Sequence, residues 1–217
     1  VGSKLTYCFL STFGEKLMSV LVGKQAPDFT VPAVLADGQI VDSYNFFEAI
    51  SGKYAVIFFY PLDFTFVCPS ELIAFDHRID EFKSRGVEVV GVSIDSHFTH
   101  NAWRNTPINQ GGIGPVRYTL AADIKHSIAK DYDVEADFGV AYRGSFLIDK
   151  AGVVRHQVVN DLPLGRNIDE MIRVIDALQF HEEHGEVCPA GWKKGDAGMH
   201  ANPAGVAEYL SNNADKL

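Results

Sequence analysis

Tyr54-Ala-Val-Ile-Phe-Phe-Tyr60 is an unbroken apolar run of β-branched and aromatic residues, closed by Pro61. That pattern predicts a central strand buried on both faces. Beyond it, Leu72, Phe75, Ile79 and Phe82 recur at spacings of three, four and three, the stripe of an amphipathic helix that closes at Gly86. Residues 87–94 read as a second buried strand. A strand, helix and strand in that order imply parallel pairing.

Working outward, Ala36-Asp-Gly-Gln39 is a turn signal between extended runs at 29–34 and 40–44, a hairpin expected at the edge of the main fold. Downstream come a short helical segment containing Trp103, a strand near 118–121 and a helix from about 124 to 131. Residues 145–148 and 153–159 flank Asp149-Lys-Ala-Gly152 as an antiparallel hairpin, and Ile168, Met171, Ile172, Ile175 and Leu178 mark a final long helix. The order βαβ then ββα predicts an α/β protein with a thioredoxin-like fold, an N-terminal hairpin and a C-terminal arm. Residues 1–17 carry no clean periodicity and read as an extension ahead of Met18; residues 18–185 form the domain, and 186–217, rich in Gly, Ala and Asn, form the arm. No internal repeat is visible.

At ~150 residues per domain, 217 residues allow one domain and an elaboration. With 47% hydrophobic and 22% charged residues the chain can bury enough apolar surface to fold, which excludes wholesale disorder. Nineteen basic against 28 acidic residues give a net charge of −9, which repels a polyphosphate backbone and argues against nucleic acid. The apolar run at 54–60 is far short of the ~20 residues a bilayer demands, so no membrane partner is expected. No secretory leader is built around the apolar residues 7–10. A cytoplasmic protein is expected. Three cysteines, Cys8, Cys68 and Cys188, are too few and odd in number for a secreted disulfide scaffold, so any disulfide is expected to be catalytic.

The sharpest chemical feature is Pro61-Leu-Asp-Phe-Thr65-Phe-Val-Cys68-Pro69-Ser-Glu71, at the handover from strand to helix. Cys68 falls in or beside the first helical turn, where unpaired N–H groups and the helix dipole favour a thiolate. Pro69 is tolerated there because its missing N–H has no partner anyway. Position alone leaves a small buried hydrophobe equally open. His181-Glu-Glu-His184 ahead of Cys188 lacks a fourth ligand at a recognised spacing and reads as a solvated helix end; no metal is expected. His97 and His100 likewise read as surface residues at a helix start. Gly111-Gly-Ile-Gly114 lacks the Lys-Ser or Lys-Thr of a phosphate loop, and no dinucleotide fingerprint follows a strand, so no cofactor is expected.

Pro61, Thr65 and Cys68 satisfy the pattern Pro-x-x-x-Thr-x-x-Cys, which resembles the peroxiredoxin signature. Gln110-Gly-Gly-Ile-Gly114, Arg143-Gly-Ser-Phe, Asn160-Asp-Leu-Pro-Leu-Gly-Arg166 and Gly185-Glu-Val-Cys-Pro-Ala-Gly-Trp192 extend the likeness from about residue 20 to the C-terminus. Together they resemble the typical two-cysteine subgroup, which includes bacterial alkyl hydroperoxide reductases and thioredoxin peroxidases. The resemblance implies that Cys68 attacks hydrogen peroxide and small organic hydroperoxides, becoming a sulfenic acid. A free thiol is ~3% ionised at pH 7, so full ionisation multiplies the reactive fraction only about thirtyfold, whereas enzymes usually exceed ~10⁶. The remainder falls to donors aimed at the peroxide oxygens, for which the matching groups are the Thr65 hydroxyl, the Arg143 guanidinium and the Cys68 N–H. Pro61 would shield the site, and Glu71 and Arg166 match positions that orient Arg143. Cys188 matches the resolving cysteine, giving an intersubunit disulfide with Cys68 on the partner. A homodimer, assembled into a ring-shaped decamer and reduced by thioredoxin or a flavoprotein disulfide reductase, is implied. Cys8 has no counterpart. A thioredoxin-type oxidoreductase would want cysteine where Glu71 stands; a chaperone-like holdase for unfolded clients is the non-enzymatic alternative.

Overall fold

The computed structural model describes residues 20–217; the expected extension at 1–17, with Cys8, lies outside the described residues. The elements run β1 (Thr30–Val34), β2 (Ile40–Asn45), α1 (Phe46–Ala49), β3 (Tyr54–Phe59), α2 (Cys68–His77), α3 (Ile79–Ser84), β4 (Val87–Ser93) and α4 (His97–Asn105). They continue with β5 (Thr119–Ala122), α5 (Ser127–Asp131), β6 (Arg143–Ile148), β7 (Val154–Asn160), α6 (Ile168–His184) and α7 (Pro203–Asn213). One sheet takes the order β2-β1-β5-β4-β3-β6-β7. Strands β3, β4 and β5 pair in parallel, and the two hairpins flank them antiparallel. This is the thioredoxin-like arrangement the sequence predicts.

Every residue of β3 is buried, as its unbroken apolar run requires. Because successive side chains alternate faces, Tyr54, Val56 and Phe58 join one core with Leu72, Phe75, Trp103 and Ile172. Ala55, Ile57 and Phe59 join the other with Phe46, Ile128, Tyr132 and Phe146. Phe58 stacks on Phe75 with ring centroids 4.1 Å apart, seating α2 on the sheet.

Four local expectations need correction. The helix predicted through Gly86 is two helices, interrupted at Arg78 (φ −101°, ψ 4°), although Leu72, Phe75, Ile79 and Phe82 are all buried as its stripe requires. The Arg78 N–H reaches only to Asp76 and Phe75 carbonyls, tightening the last turn, and the ladder restarts when its own carbonyl accepts from Glu81 and Phe82. The helix expected from about 124 begins at Ser127, because His126 adopts a left-handed φ of 59° and Asp123 accepts from the Ile128 and Ala129 N–H groups. Helix α6 is not the last, since α7 follows inside the segment read as an arm. Finally, His97 and His100 are buried rather than superficial. They share a face of α4 with Trp103 and Arg104, and that face packs inward.

Candidate active site

The loop at 61–67 leaves the C-terminal end of β3, beside its parallel neighbour, where open α/β sheets place their ligands. Antiparallel β6 begins at that same end. Since Phe58 pairs with Ser145, Arg143 lies just past the end of β3 and beside the loop. Pro61 is buried at the loop's start. Phe64 holds a left-handed φ of 53°, a conformation costly for a bulky residue, and its ring rests on Trp103 at 5.7 Å.

A buried network, invisible in the sequence, fixes this loop. Asp63 accepts from the Tyr60 hydroxyl at 2.9 Å and from His100 Nδ1 at 2.8 Å, and its N–H donates to Asp95 at 2.8 Å. His100 Nε2 faces the Ala121 carbonyl at 3.3 Å, tying the loop to β5. The helical spacing of His97 and His100 with Trp103 is the signal that could have placed them inside.

Cys68 opens α2 and is fully buried; Pro69 occupies the first turn as expected, and Val67 caps without a side-chain bond. Arg143 Nη1 lies 3.4 Å from Cys68 Sγ and 2.6 Å from Glu71 Oε2, while its Nε donates to the Leu162 carbonyl at 2.7 Å. Glu71 also accepts from Arg166 N, Nε and Nη2, each at 2.9 Å. Arg166 Nη1 donates to the Phe59 and Gly144 carbonyls, both at 2.8 Å, and the guanidinium lies over the Phe58 ring. All three charged side chains are at most 4% exposed. Two cations against one carboxylate leave one positive charge facing the sulfur. Residues 68, 71, 143 and 166 thus converge from the first turn of α2, the start of β6 and the loop before α6. Thr65 differs from its expected donor role: its hydroxyl donates to the Leu62 carbonyl at 2.8 Å, leaving lone pairs for an approaching O–H.

Cys188 stands apart. Its Sγ is 3.4 Å from the Ala177 carbonyl of α6, in a cleft also lined by Leu147, Arg155, Val174 and His181. Val187 exchanges backbone bonds of 2.9 Å with Met199, a bridge inside the C-terminal segment that carries Cys188. Burial pushes the Cys188 thiol up from its ordinary value, and Arg173 draws it partly back. Its thiolate fraction at a given pH is therefore below that of a free cysteine. Iodoacetamide is expected to label the Cys188 peptide more slowly than free cysteine at pH 7.5, the gap narrowing only as the pH rises through the raised pKa of the Cys188 thiol. Equal rates at pH 7.5, read by mass spectrometry, would contradict that shift.

His181 and His184 are exposed, with His181 Nδ1 2.7 Å from the Glu186 carbonyl. Among the described residues no group of three or more His, Cys, Asp and Glu side chains could hold a metal, and no helix is long and apolar enough to cross a membrane.

A thioredoxin-like sheet presenting a buried cysteine to a guanidinium at a helix start defines the class, a thiol-dependent oxidoreductase. Residues 22–157 match the AhpC/TSA family, and residues 177–212, which include Cys188, match the C-terminal domain of 1-Cys peroxiredoxin. Alkyl hydroperoxide reductase C of Helicobacter pylori is 56% identical over 198 residues, 91% of this chain and 100% of the relative. Peroxiredoxin-1 of Gallus gallus is 52% identical over 191 residues, 88% of this chain and 95% of the relative. The reduced 2-Cys peroxiredoxin of Plasmodium vivax superposes with a TM-score of 0.86 at 50% identity, covering 89% of this chain and 100% of that structure. The chain belongs to the AhpC/TSA family: it is a peroxiredoxin, a thiol-dependent peroxidase. The relatives favour this over the chaperone-like holdase.

Proposed function

We propose that Cys68 is the peroxidatic cysteine and Cys188 the resolving cysteine. The observation that carries the first role is the Arg143 guanidinium, 3.4 Å from a fully buried sulfur and held by Glu71, which Arg166 in turn fixes. The Cys68 thiolate attacks one oxygen of ROOH. An S–O bond forms as the O–O bond breaks, the departing RO⁻ takes a proton and leaves as ROH, and Cys68 becomes a sulfenic acid. Arg143 Nη1 and the Cys68 N–H donate hydrogen bonds to the oxygen that becomes negative. Thr65 Oγ1, already committed as a donor to Leu62, accepts the hydroperoxide O–H. Pro61 and the Asp63–His100 network hold the loop that walls off water.

Condensation follows: the Cys188 thiol and the Cys68 sulfenic acid give a disulfide and one water. Within one chain the sulfurs are far apart. Cys68 adjoins Arg143 while Leu147 lines the Cys188 cleft; four residues along β6 span about 13 Å, against ~2 Å for an S–S bond. The placement favours pairing between two-fold related subunits, two sites per dimer. Thioredoxin or a flavoprotein disulfide reductase then restores both thiols, in a cytoplasmic homodimer that builds a ring-shaped decamer.

Peroxide-treated protein is expected to run as a dimer on a non-reducing gel and as a monomer after reduction. Cys188→Ser should stay monomeric there and consume about one peroxide per subunit before stopping, since Cys68 alone turns over once. An intrachain Cys68–Cys188 link as the major mapped product would refute the pairing.

A further inference from the structure

Beyond the ion cluster at its start, α2 is held at a second place that the reaction just described does not use. Arg117, in the loop just before β5, grips the junction between α2 and α3. Its backbone N–H donates to Asp76 Oδ1 at 2.7 Å, Nε to the same oxygen at 3.2 Å, and Nη2 to the Asp76 carbonyl at 2.8 Å. Its Nη1 donates to Asp80 Oδ1 and Oδ2 at 3.2 and 3.0 Å. Next door, the buried Tyr118 hydroxyl donates to the Leu72 carbonyl at 2.8 Å. The grip spans Arg78, the one residue at which the helical ladder between Cys68 and Ser84 is interrupted.

That position matters because Cys68 Sγ is fully buried, and a second sulfur cannot reach ~2 Å of it while the first turn of α2 is wound. If Cys68 and Cys188 pair as proposed above, that turn must open in every cycle. Opening releases Glu71 from Arg143 and Arg166. How far it spreads depends on the attachments beyond it: Leu72 and Phe75, packed against the sheet, and then Asp76 and Asp80, the two carboxylates that Arg117 holds on either side of Arg78. The geometry points to Arg117 as a positioning residue that stops the unwinding of α2 short of α3 and hastens its return. While the turn is wound, the sulfenic acid stays under Arg143, where a second ROOH converts it to a sulfinic acid and ROH. While it is open, Cys188 can capture it. By favouring the wound state, Arg117 tilts the partition toward sulfinic acid.

Partition and extent of opening are the readouts, because a merely structural staple would alter thermal stability without moving either. At matched peroxide and saturating reductant, Arg117→Ala is expected to lower the sulfinic yield at Cys68 per turnover about fivefold, with Arg117→Lys and Asp80→Asn intermediate. Asp80 is largely exposed, so its variant keeps the question open to experiment should Arg117→Ala fail to fold. Hydrogen exchange of the oxidised protein should show opening confined to residues 64–72 in the wild type and spread through 80 in Arg117→Ala; in Asp80→Asn it should spread in part. Wild-type sulfinic yields in the variants that fold, or exchange of 72–84 unchanged from wild type, would overturn the inference while leaving the roles of Cys68 and Cys188 intact. Failure of a sulfenic-acid trap to label wild-type Cys68 would instead overturn those roles, and this inference with them.

Discussion

Cys68→Ser is expected to abolish peroxide turnover and leave the fold standing. The substitution exchanges sulfur for a smaller oxygen at a fully buried site, with Arg143 Nη1 still positioned to donate to it. Stability should change by about 1 kcal/mol or less, a shift of about 2–4 °C in Tm for a chain of this size. The chemistry has no such fallback. A serine hydroxyl is not ionised near neutral pH, and its attack on a peroxide would merely make another O–O bond, so nothing would be reduced. Peroxide-dependent NADPH oxidation, coupled through thioredoxin and its reductase, should therefore fall to background, a loss of at least about 10⁴-fold. Because Cys188 remains in this variant, residual steady-state turnover would transfer the primary attack to Cys188 and sink the assignment. Normal Tm with no turnover is the expected pair of results.

What the sequence discloses and what it conceals divide along local and long-range lines. The run at 54–60, the turn residues of the two hairpins and the stripe of α6 announce themselves because strand and helix periodicities and turn chemistry are written in neighbouring residues. The site is written across the chain. Glu71 and Arg143 are 72 positions apart and Glu71 and Arg166 are 95 apart, and no spacing brings them together; the antiparallel entry of β6 beside β3 does. Only likeness to a family singles them out in the sequence. The helical spacing of His100 with Trp103 could have placed it inside, but its partners are hidden for the same reason, since Asp63 and Ala121 lie 37 and 21 residues away. The break at Arg78 also has long-range company that no local pattern shows, since Arg117, about forty positions on, holds Asp76 and Asp80 on either side of it. Thr65 shows a finer limit, because a hydroxyl's identity does not disclose whether it donates or accepts.

Glu71→Gln should be nearly as damaging as loss of the nucleophile, by a different route. The Glu71 carboxylate faces two guanidiniums, all three side chains at most 4% exposed. Removing one partner of a buried ion cluster costs about 3–5 kcal/mol, because the remaining charges stay out of water. The substitution also turns one acceptor oxygen into an amide donor facing an arginine donor, so the four bonds Glu71 accepts cannot all be kept. Against a total stability of about 5–15 kcal/mol, Tm should fall by about 10 °C. Release of Arg143 from its 2.6 Å contact with Glu71 removes the orientation of the main donor toward the peroxide, and misplacement of about 1 Å alone can cost 10²-fold. With that orientation lost, kcat/KM for hydrogen peroxide should fall by about 10²-fold. A variant with wild-type Tm and wild-type kcat/KM would show that the carboxylate neither holds the fold nor aims Arg143.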